Sequence, residues 1–166
     1  MNTEANDALI ACIPRLRRYA RALTGSRSDA DDLVQDTVER GWSRLSLWRH
    51  GSDMRAWLFS IMHNLHVDRF RRIQPAMEEL EDDMPLHGTP APNLDMRDLE
   101  SCLRRLPDEQ REVLLLVALE EMRYEDVAAT LGIPVGTVMS RLSRGREKLR
   151  LLMEGRPQGT PLKVIK

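Results

Sequence analysis

The sequence predicts an all-α protein made of two small helical domains, and three observations support this fold class. Apolar residues recur at intervals of three and four along most of the chain, which is the period of an amphipathic helix. Aromatic residues make up 4% of the 166 residues and charged residues 31%, which favours small helical units over one large aromatic core. Residues 74–93 contain four prolines and no lysine or arginine, a composition typical of an extended, mobile linker.

This acidic linker sets the predicted domain boundaries. The first domain is predicted at residues 8–73, the linker at 74–93, the second domain at 94–153 and a disordered tail at 154–166. The tail is rich in glycine and proline and shows no periodicity.

The first predicted helix follows a polar N-terminal stretch, residues 1–7, which we expect to be frayed. Pro14 predicts either a kink or a fresh helix start, and Gly25 predicts the end of the helix. The apolar face is formed by Leu9, Ile13, Leu16, Ala20 and Leu23.

The second predicted helix, about residues 28–46, has Ser28 as its expected N-cap and aspartates in its first turn, where they complement the helix dipole. Four apolar residues lie among polar ones along it: Leu33, Val34, Val38 and Trp42. Apolar residues at this spacing are ordinarily core, and Leu33 and Val34 fit that role. A tryptophan beside acidic residues also fits a partner-binding face, so both interpretations stay open for Trp42.

The third predicted helix is capped by Ser52 or Asp53 and changes character along its length. Its buried side is formed by Met54, Trp57, Leu58, Ile61, Met62 and Leu65. Its far end carries His63, Asn64, His66, Asp68, Arg69, Arg71 and Arg72. A basic end with exposed Asn and His suits phosphates and base edges, although arginines near a helix C-terminus also simply complement the dipole.

The second domain contains two apolar helices followed by a helix, a tight turn and another helix over residues 124–150. The first two are indicated by Leu99, Leu103, Leu106, Val113, Leu114, Val117 and Leu119. In the last pair, the small side chain of Ala128 on the first helix lets the second helix cross close to it, and Val138 on the second helix is buried against the first. Gly132 supplies the positive φ that ends the first helix. Pro134 suits the start of the final helix.

The final helix has two different faces. The packed face is formed by Val135, Val138, Leu142, Gly145, Leu149 and Leu152. The opposite face is formed by Thr137, Ser140, Arg141, Arg144, Arg146 and Lys148. This layout is typical of a DNA-binding helix-turn-helix, although a basic helix face is also common as plain solvated surface.

Charge is segregated along the chain. The net charge of −1 shows that the chain as a whole has no excess positive charge for binding a polyanion. Positive charge is concentrated locally at Arg141–Arg150, which holds five basic residues and one acid. Residues 78–83 hold five acids and no base. Cys12 and Cys102 lack the spacing of a zinc site and indicate free thiols in a reducing cytoplasm. We expect no metal, no cofactor and no catalytic site, and no apolar run approaches the roughly 18 residues that span a membrane.

The motifs in combination resemble the bacterial extracytoplasmic-function (ECF) sigma factors, the minimal class of the sigma-70 family. The resemblance covers about residues 9–152 and is carried by DADDLVQDTVERGW at 29–42, by the segment at 54–72 and by the segment at 106–150. It implies that the first domain is sigma region 2 and the second is sigma region 4. The implied function is that of an alternative sigma factor directing promoter-specific transcription initiation.

The resemblance also implies roles for individual residues. The polymerase β′ clamp helices would bind Leu33, Gln35, Asp36, Val38 and Trp42. The −10 element would be contacted by His63, Asn64, Asp68, Arg69, Arg71 and Arg72, with Asn64 holding a flipped base. The −35 element would be contacted by Tyr124, Thr137, Ser140, Arg141, Arg144, Arg146 and Lys148.

The implied partners are core RNA polymerase, through the β′ clamp helices and the β flap, promoter DNA and an anti-sigma factor, in the bacterial cytoplasm and without membrane insertion. Met139 and Ser143 depart from the residues common in the family, so the −35 sequence is not predicted. Two other interpretations are a sigma-like mimic that sequesters an anti-sigma factor and a dimeric helix-turn-helix repressor. The repressor leaves the motifs at residues 28–72 unexplained.

Overall fold

The computed structural model describes residues 3–77 and 96–154, and within these ranges all regular structure is helical, as predicted. The first half contains α1 (Thr3–Thr24), α2 (Arg27–Ser43), a short 3₁₀ helix (Leu45–Leu47) and α3 (Met54–Met77). The second half contains α4 (Met96–Arg104), α5 (Asp108–Ala118), α6 (Tyr124–Leu131) and α7 (Val135–Glu154).

Helix α1 is longer than predicted. It begins at Thr3, and Ala5 is only 1% exposed, so the expectation of a frayed N-terminus is wrong from residue 3 onward. Ala5 lies one turn before the fully buried Leu9, on the same face of the helix, so the first turn of α1 packs against the core. Pro14 lies inside this one continuous helix, and Gly25, with φ of 69°, follows its end as predicted.

The caps of α2 and α3 show one correction and one confirmation. Ser26, not Ser28, caps α2, because its hydroxyl accepts the backbone N–H of Asp29 at 3.3 Å. At its other end, helix α2 stops at Ser43, three residues before the predicted end. Asp53 caps α3 by accepting the backbone N–H of Arg55 at 3.0 Å.

The buried side of α3 includes a residue that the apolar pattern had left out. Met54, Leu58 and Met62 are buried as predicted, and Phe59 is buried as well, with 2% exposure. The ring of Phe59 meets that of Tyr19 on α1 edge to face, with centroids 4.8 Å apart. This contact joins α1 and α3 at the centre of the first half.

The segment boundaries differ slightly from the predicted ones. Helix α3 continues to Met77, so the predicted boundary at residue 73 falls inside this helix. The rest of the predicted linker, residues 78–93, lies outside the described residues. Helix α7 includes Glu154, and the remainder of the predicted tail lies outside them too.

The helix–turn–helix forms where it was predicted. Gly132 adopts φ of 67°, which ends α6, and the N–H of Ile133 donates to the Ala128 carbonyl at 3.0 Å. Val138 is fully buried, and a Cβ added at Gly145 would lie 3.3 Å from the Gln110 Cβ, so the absence of a side chain lets α7 pass close to α5. These contacts fix the orientation of α7.

The two halves pack against each other through several helices. Helix α1 contacts α4 and α5, and α3 contacts α6. Their buried apolar side chains form one continuous cluster that extends from Ala5 to Leu142. The packing brings the basic end of α3 against α5, and this arrangement bears directly on the candidate site.

Candidate nucleic-acid interface

Helix α7 presents a basic surface. Arg144, Arg146 and Lys148 are exposed, as expected for a DNA-facing helix. Thr137 and Ser140 are partly buried, and the Ser140 hydroxyl donates to the Thr137 carbonyl at 3.1 Å. Tyr124, at the start of α6, is partly buried against the core.

Arg141 differs from the other basic residues of α7. Its guanidinium lies 3.6 Å from the carboxylate of Glu109 on α5, and the side chain is 26% exposed. Arg141 therefore ties α7 to α5 in this arrangement.

The positive charge of α7 is also reduced toward its C-terminal end. Arg150 bridges Glu147 and Glu154, with N–O distances of 2.6 Å to each. The hydrogen bond from Arg150 lowers the pKa of Glu147. The exposed basic side chains of α7 upstream of Arg150 are thus Arg144, Arg146 and Lys148.

Two exposed apolar residues near the start of α7 were not among the predicted contacts. Met139 is 52% exposed and Val135 is 37% exposed, so the prediction that Val135 belongs to the packed face is wrong. They lie one turn apart in the N-terminal part of the helix, the part that reads bases in helix-turn-helix proteins. Apolar side chains at such positions can contact thymine methyl groups. The position of Val135 and Met139 at the start of the second helix is the sequence feature that could have marked these two residues as candidate contacts.

The basic end of α3 is only partly accessible. Asn64, Asp68, Arg71 and Arg72 are exposed, whereas Arg69 forms an ion pair with Asp36 of α2. Two residues predicted for different partners, DNA and polymerase, are therefore joined to each other.

The two histidines of α3 are engaged by α5. His63 Nδ1 lies 2.6 Å from Glu112 Oε2, and His66 Nε2 lies 2.7 Å from Asp108 Oδ1. Both carboxylates come from the other half of the chain. Their pairing with α3 was not predicted, because they lie in the polar stretch DEQRE at the start of α5 and no local pattern marks their partners.

The exposed face of α2 is smaller than predicted. Leu33 is fully buried, so its side chain packs in the core, and the prediction that it forms part of a polymerase-binding surface is wrong. Gln35 is exposed and Val38 is partly buried. Trp42 is 50% exposed, and its position on the surface favours a partner-binding role over a core role.

A second polar contact joins the halves at Glu120, which is 1% exposed. Arg18 donates to its Oε2 at 3.3 Å, Arg15 lies 3.8 Å from its Oε1, and Arg55 donates to its backbone carbonyl at 2.8 Å. Arg111, on α5, donates to the Leu23 carbonyl of α1 at 2.8 Å. The interface between the halves therefore contains many charged groups.

The environment of Tyr19 reflects the same concentration of carboxylates. Burial, followed by the negative charges of Glu112, Asp108 and Glu120, raises the pKa of Tyr19 well above its ordinary value. The phenol lies on α1, and the three carboxylates lie in the second half.

Within residues 3–77 and 96–154, no three potential metal ligands lie together in a group that could hold an ion. None of the described helices combines the length and apolar character that crossing a bilayer requires.

Comparison with known proteins identifies both halves of the chain. Residues 9–63 match the family model described as the Sigma2 domain of PhyR, and residues 96–149 match Sigma-70, region 4. A curated relative, the ECF RNA polymerase sigma factor EcfG of Rhodopseudomonas palustris, is 36% identical over 151 residues. That alignment covers 89% of this chain and 83% of the relative.

Two solved structures share the architecture. The sigma factor RpoE of Bartonella quintana, in complex with the anti-sigma factor NepR, superposes with a TM-score of 0.75 and 32% identity, covering 90% of this chain and 96% of that one. The anti-anti-sigma factor PhyR of Bartonella quintana superposes with a TM-score of 0.59 and 19% identity, covering 87% of this chain and 48% of that one. At that identity the second match shows the fold alone.

Proposed function

The chain belongs to the ECF family of RNA polymerase sigma factors, and we propose that it binds core RNA polymerase and directs it to promoters through two DNA-contacting helices, α7 and α3. The similarity to a named sigma factor runs through both halves of the chain, and this observation carries the proposal. The protein would act as a specificity subunit rather than as an enzyme, in the bacterial cytoplasm.

Helix α7 is the proposed reader of the −35 element. Its packed face is held by α5 and α6, so its outward side can enter a major groove. Arg144, Arg146 and Lys148 would contact phosphates and bases, while Thr137 and Ser140 lie near the start of the helix. Arg141 can contact DNA only after its guanidinium separates from the carboxylate of Glu109.

The exposed end of α3 is the proposed −10 surface. Asn64 has an exposed amide, which can donate and accept hydrogen bonds at the edge of a flipped base. Arg71 and Arg72 are exposed beside it and can bind phosphates. The exposed residues Gln35 and Trp42 of α2 form the proposed contact with the β′ clamp helices, and region 4 would meet the β flap.

An anti-sigma factor is a further proposed partner. The similar RpoE structure was solved as a complex with the anti-sigma factor NepR, and the present chain matches nearly all of that sigma factor. We therefore infer that a protein of the same kind binds this chain and withholds it from polymerase.

Run-off transcription with purified bacterial core polymerase tests the main proposal. On fragmented genomic DNA of the source organism, start sites should appear only when this protein is added, and alignment of those sites should yield paired −35 and −10 sequences. If active core polymerase and folded protein give no new start sites, the sequestering mimic becomes the better explanation. Binding of an anti-sigma factor without transcription would then be the expected behaviour.

Arg144→Ala should weaken engagement of the −35 element by about 1–3 kcal/mol, because an exposed arginine on the recognition helix would be lost. The measurement is run-off transcription from a mapped promoter over a range of protein concentrations. Arg150→Ala is the matched control, since Glu147 and Glu154 already hold that guanidinium. Equal activity of the Arg144 variant and the wild type would remove Arg144 from the proposed surface.

A further inference from the structure

We propose that the cleft where α1, α2 and α4 meet binds a diphosphate group, either free pyrophosphate or the diphosphate of a nucleotide. The cleft has a volume of about 320 Å³, and its charged lining residues are Arg21, Arg27, Glu100 and Arg104. None of its lining residues belongs to the proposed DNA surfaces of α7 and α3. The site therefore goes beyond the proposed function in transcription and is independent of it.

The charges in this cleft differ from those at another polar contact between the halves. At that contact a base of the first half meets an acid of the second, in the pair Arg18–Glu120. In the cleft, by contrast, Arg104 of the second half lies with Arg21 and Arg27 of the first. Within residues 3–77 and 96–154, no ion pair includes any of these three arginines. Like charges in one cleft repel each other, and an anion bound between them would turn that repulsion into attraction.

The helix positions of the three arginines also favour an anion. Arg21 and Arg104 lie in the last turns of α1 and α4, where a positive charge complements the helix dipole. Arg27 is the first residue of α2, where the partial positive charge of the helix end opposes a guanidinium. An anion in the cleft would be attracted by the guanidinium and by the helix end together, so it would remove this conflict.

The cleft is built around a close approach of the two halves at Gly25. A Cβ added at Gly25 would lie 2.5 Å from Cδ of Arg104 and 2.8 Å from its Cγ, so the stem of Arg104 passes directly over this glycine. Gly25 has φ of 69° and lies between the end of α1 and the start of α2. This turn therefore brings the last turn of α1 and the first residue of α2 to the stem of Arg104.

The lining suits a diphosphate better than a single phosphate. A planar guanidinium can donate two parallel hydrogen bonds to phosphate oxygens, which makes arginine a preferred ligand for phosphate. Three guanidiniums line the cleft, and a diphosphate offers them more negative charge and more acceptor oxygens than one phosphate does. The cleft volume of about 320 Å³ lies at the small end of the range of ligand pockets, so it suits a small phosphorylated ligand.

Glu100 distinguishes the two sources of the diphosphate. Its exposed carboxylate lines the same cleft, where it repels phosphate but can accept hydrogen bonds from hydroxyl groups. The ribose of a nucleotide supplies such hydroxyls, whereas inorganic pyrophosphate lacks a sugar. If the ligand is a nucleotide, Glu100 should therefore add affinity that pyrophosphate does not show.

Isothermal titration calorimetry on the full chain, in buffer without phosphate, measures binding of pyrophosphate, ADP and AMP. We expect one saturable site for pyrophosphate and ADP, and much weaker binding of AMP, which has a single phosphate. Arg21→Ala, Arg27→Ala and Arg104→Ala should each weaken binding of both diphosphates by about tenfold or more, because each removes charge-assisted hydrogen bonds. Thermal unfolding should show the same order, since a ligand that binds only the folded chain raises its melting temperature.

Arg105→Ala and Arg40→Ala are the matched controls. They remove the same charge at exposed positions outside the cleft, beside Arg104 and toward the far end of α2. Both should bind the diphosphates as the wild type does. Glu100→Gln should lower the affinity for ADP to that for pyrophosphate if the nucleotide is the ligand. Equal affinities of the wild type for the two compounds would instead identify the diphosphate group alone as the recognised feature.

Absence of saturable binding to the wild type would overturn the proposed site, as would equal losses in the cleft variants and in the two controls. If no diphosphate bound and the cleft variants instead lost affinity for promoter DNA, the arginines would be a nucleic-acid contact and the diphosphate site would be wrong. All three arginines are exposed, so the variants should stay folded, and circular dichroism checks this. Run-off transcription is a separate readout, so failure of the site and failure of the proposed function are distinguishable.

Discussion

Phe59→Ala is expected to lower the free energy of unfolding by about 3–5 kcal/mol. Phe59 is 2% exposed, and its ring packs edge to face on that of Tyr19, with centroids 4.8 Å apart. Truncation would leave a cavity between α1 and α3 and remove the aromatic pair. Since whole domains are stable by only about 5–15 kcal/mol, this single change should remove a large fraction of the free energy of unfolding.

Thermal or urea unfolding followed by circular dichroism measures this effect. Phe70→Ala is the matched control, because Phe70 lies on the same helix and is only partly buried. We expect a clearly smaller loss for Phe70. Equal losses for the two variants would show that Phe59 does not form the centre of the packing between α1 and α3.

Trp42→Ala is expected to weaken binding to core RNA polymerase by about 2 kcal/mol or more, the typical effect of truncating an interface tryptophan. This corresponds to about 30-fold in affinity. Trp42 is 50% exposed on α2, so the loss in stability should be far smaller, about 1 kcal/mol or less. Affinity for purified core polymerase and thermal unfolding are the two measurements.

Leu33→Ala provides the opposite case on the same helix. Leu33 is fully buried, so its truncation should cost about 2–5 kcal/mol of stability without removing a polymerase contact. Ile10→Ala, which removes a similarly exposed apolar side chain from α1, controls for a general loss of surface hydrophobicity. If Trp42→Ala lowered stability as much as Leu33→Ala and spared binding, Trp42 would be a structural residue.

Helix positions and the helix-turn-helix could be predicted from the sequence because their signals are local. Gly132 marks the turn, since only a residue that tolerates positive φ fits there, and Val138 and Leu142 follow at helical spacing. Cap assignments were less accurate: Ser26 and Ser28 carry the same hydroxyl group, and only the path of the chain selects Ser26. Local patterns therefore identify the elements better than they identify their exact ends.

The roles of individual side chains on α2 and α3 required the tertiary structure. Leu33 and Trp42 belong to one mixed apolar pattern, and packing against α1 and α3 decides that the first is core and the second is surface. Phe59 fell outside the apolar spacing assigned to α3, yet Tyr19 covers it from a different helix. Burial of this kind depends on a neighbouring element that no window of sequence contains.

By itself the sequence determined the all-α class, the two-part organisation, the basic face of the last helix and the family. Only the tertiary structure showed that Asp108 and Glu112 bind His66 and His63, and that Glu120 is buried among arginines of the other half. The physical reason is distance along the chain. The two histidine–carboxylate pairs are 42 and 49 residues apart, and Arg18 and Glu120 are about 100 residues apart. Hydrogen bonds over such separations produce no periodic pattern in the sequence.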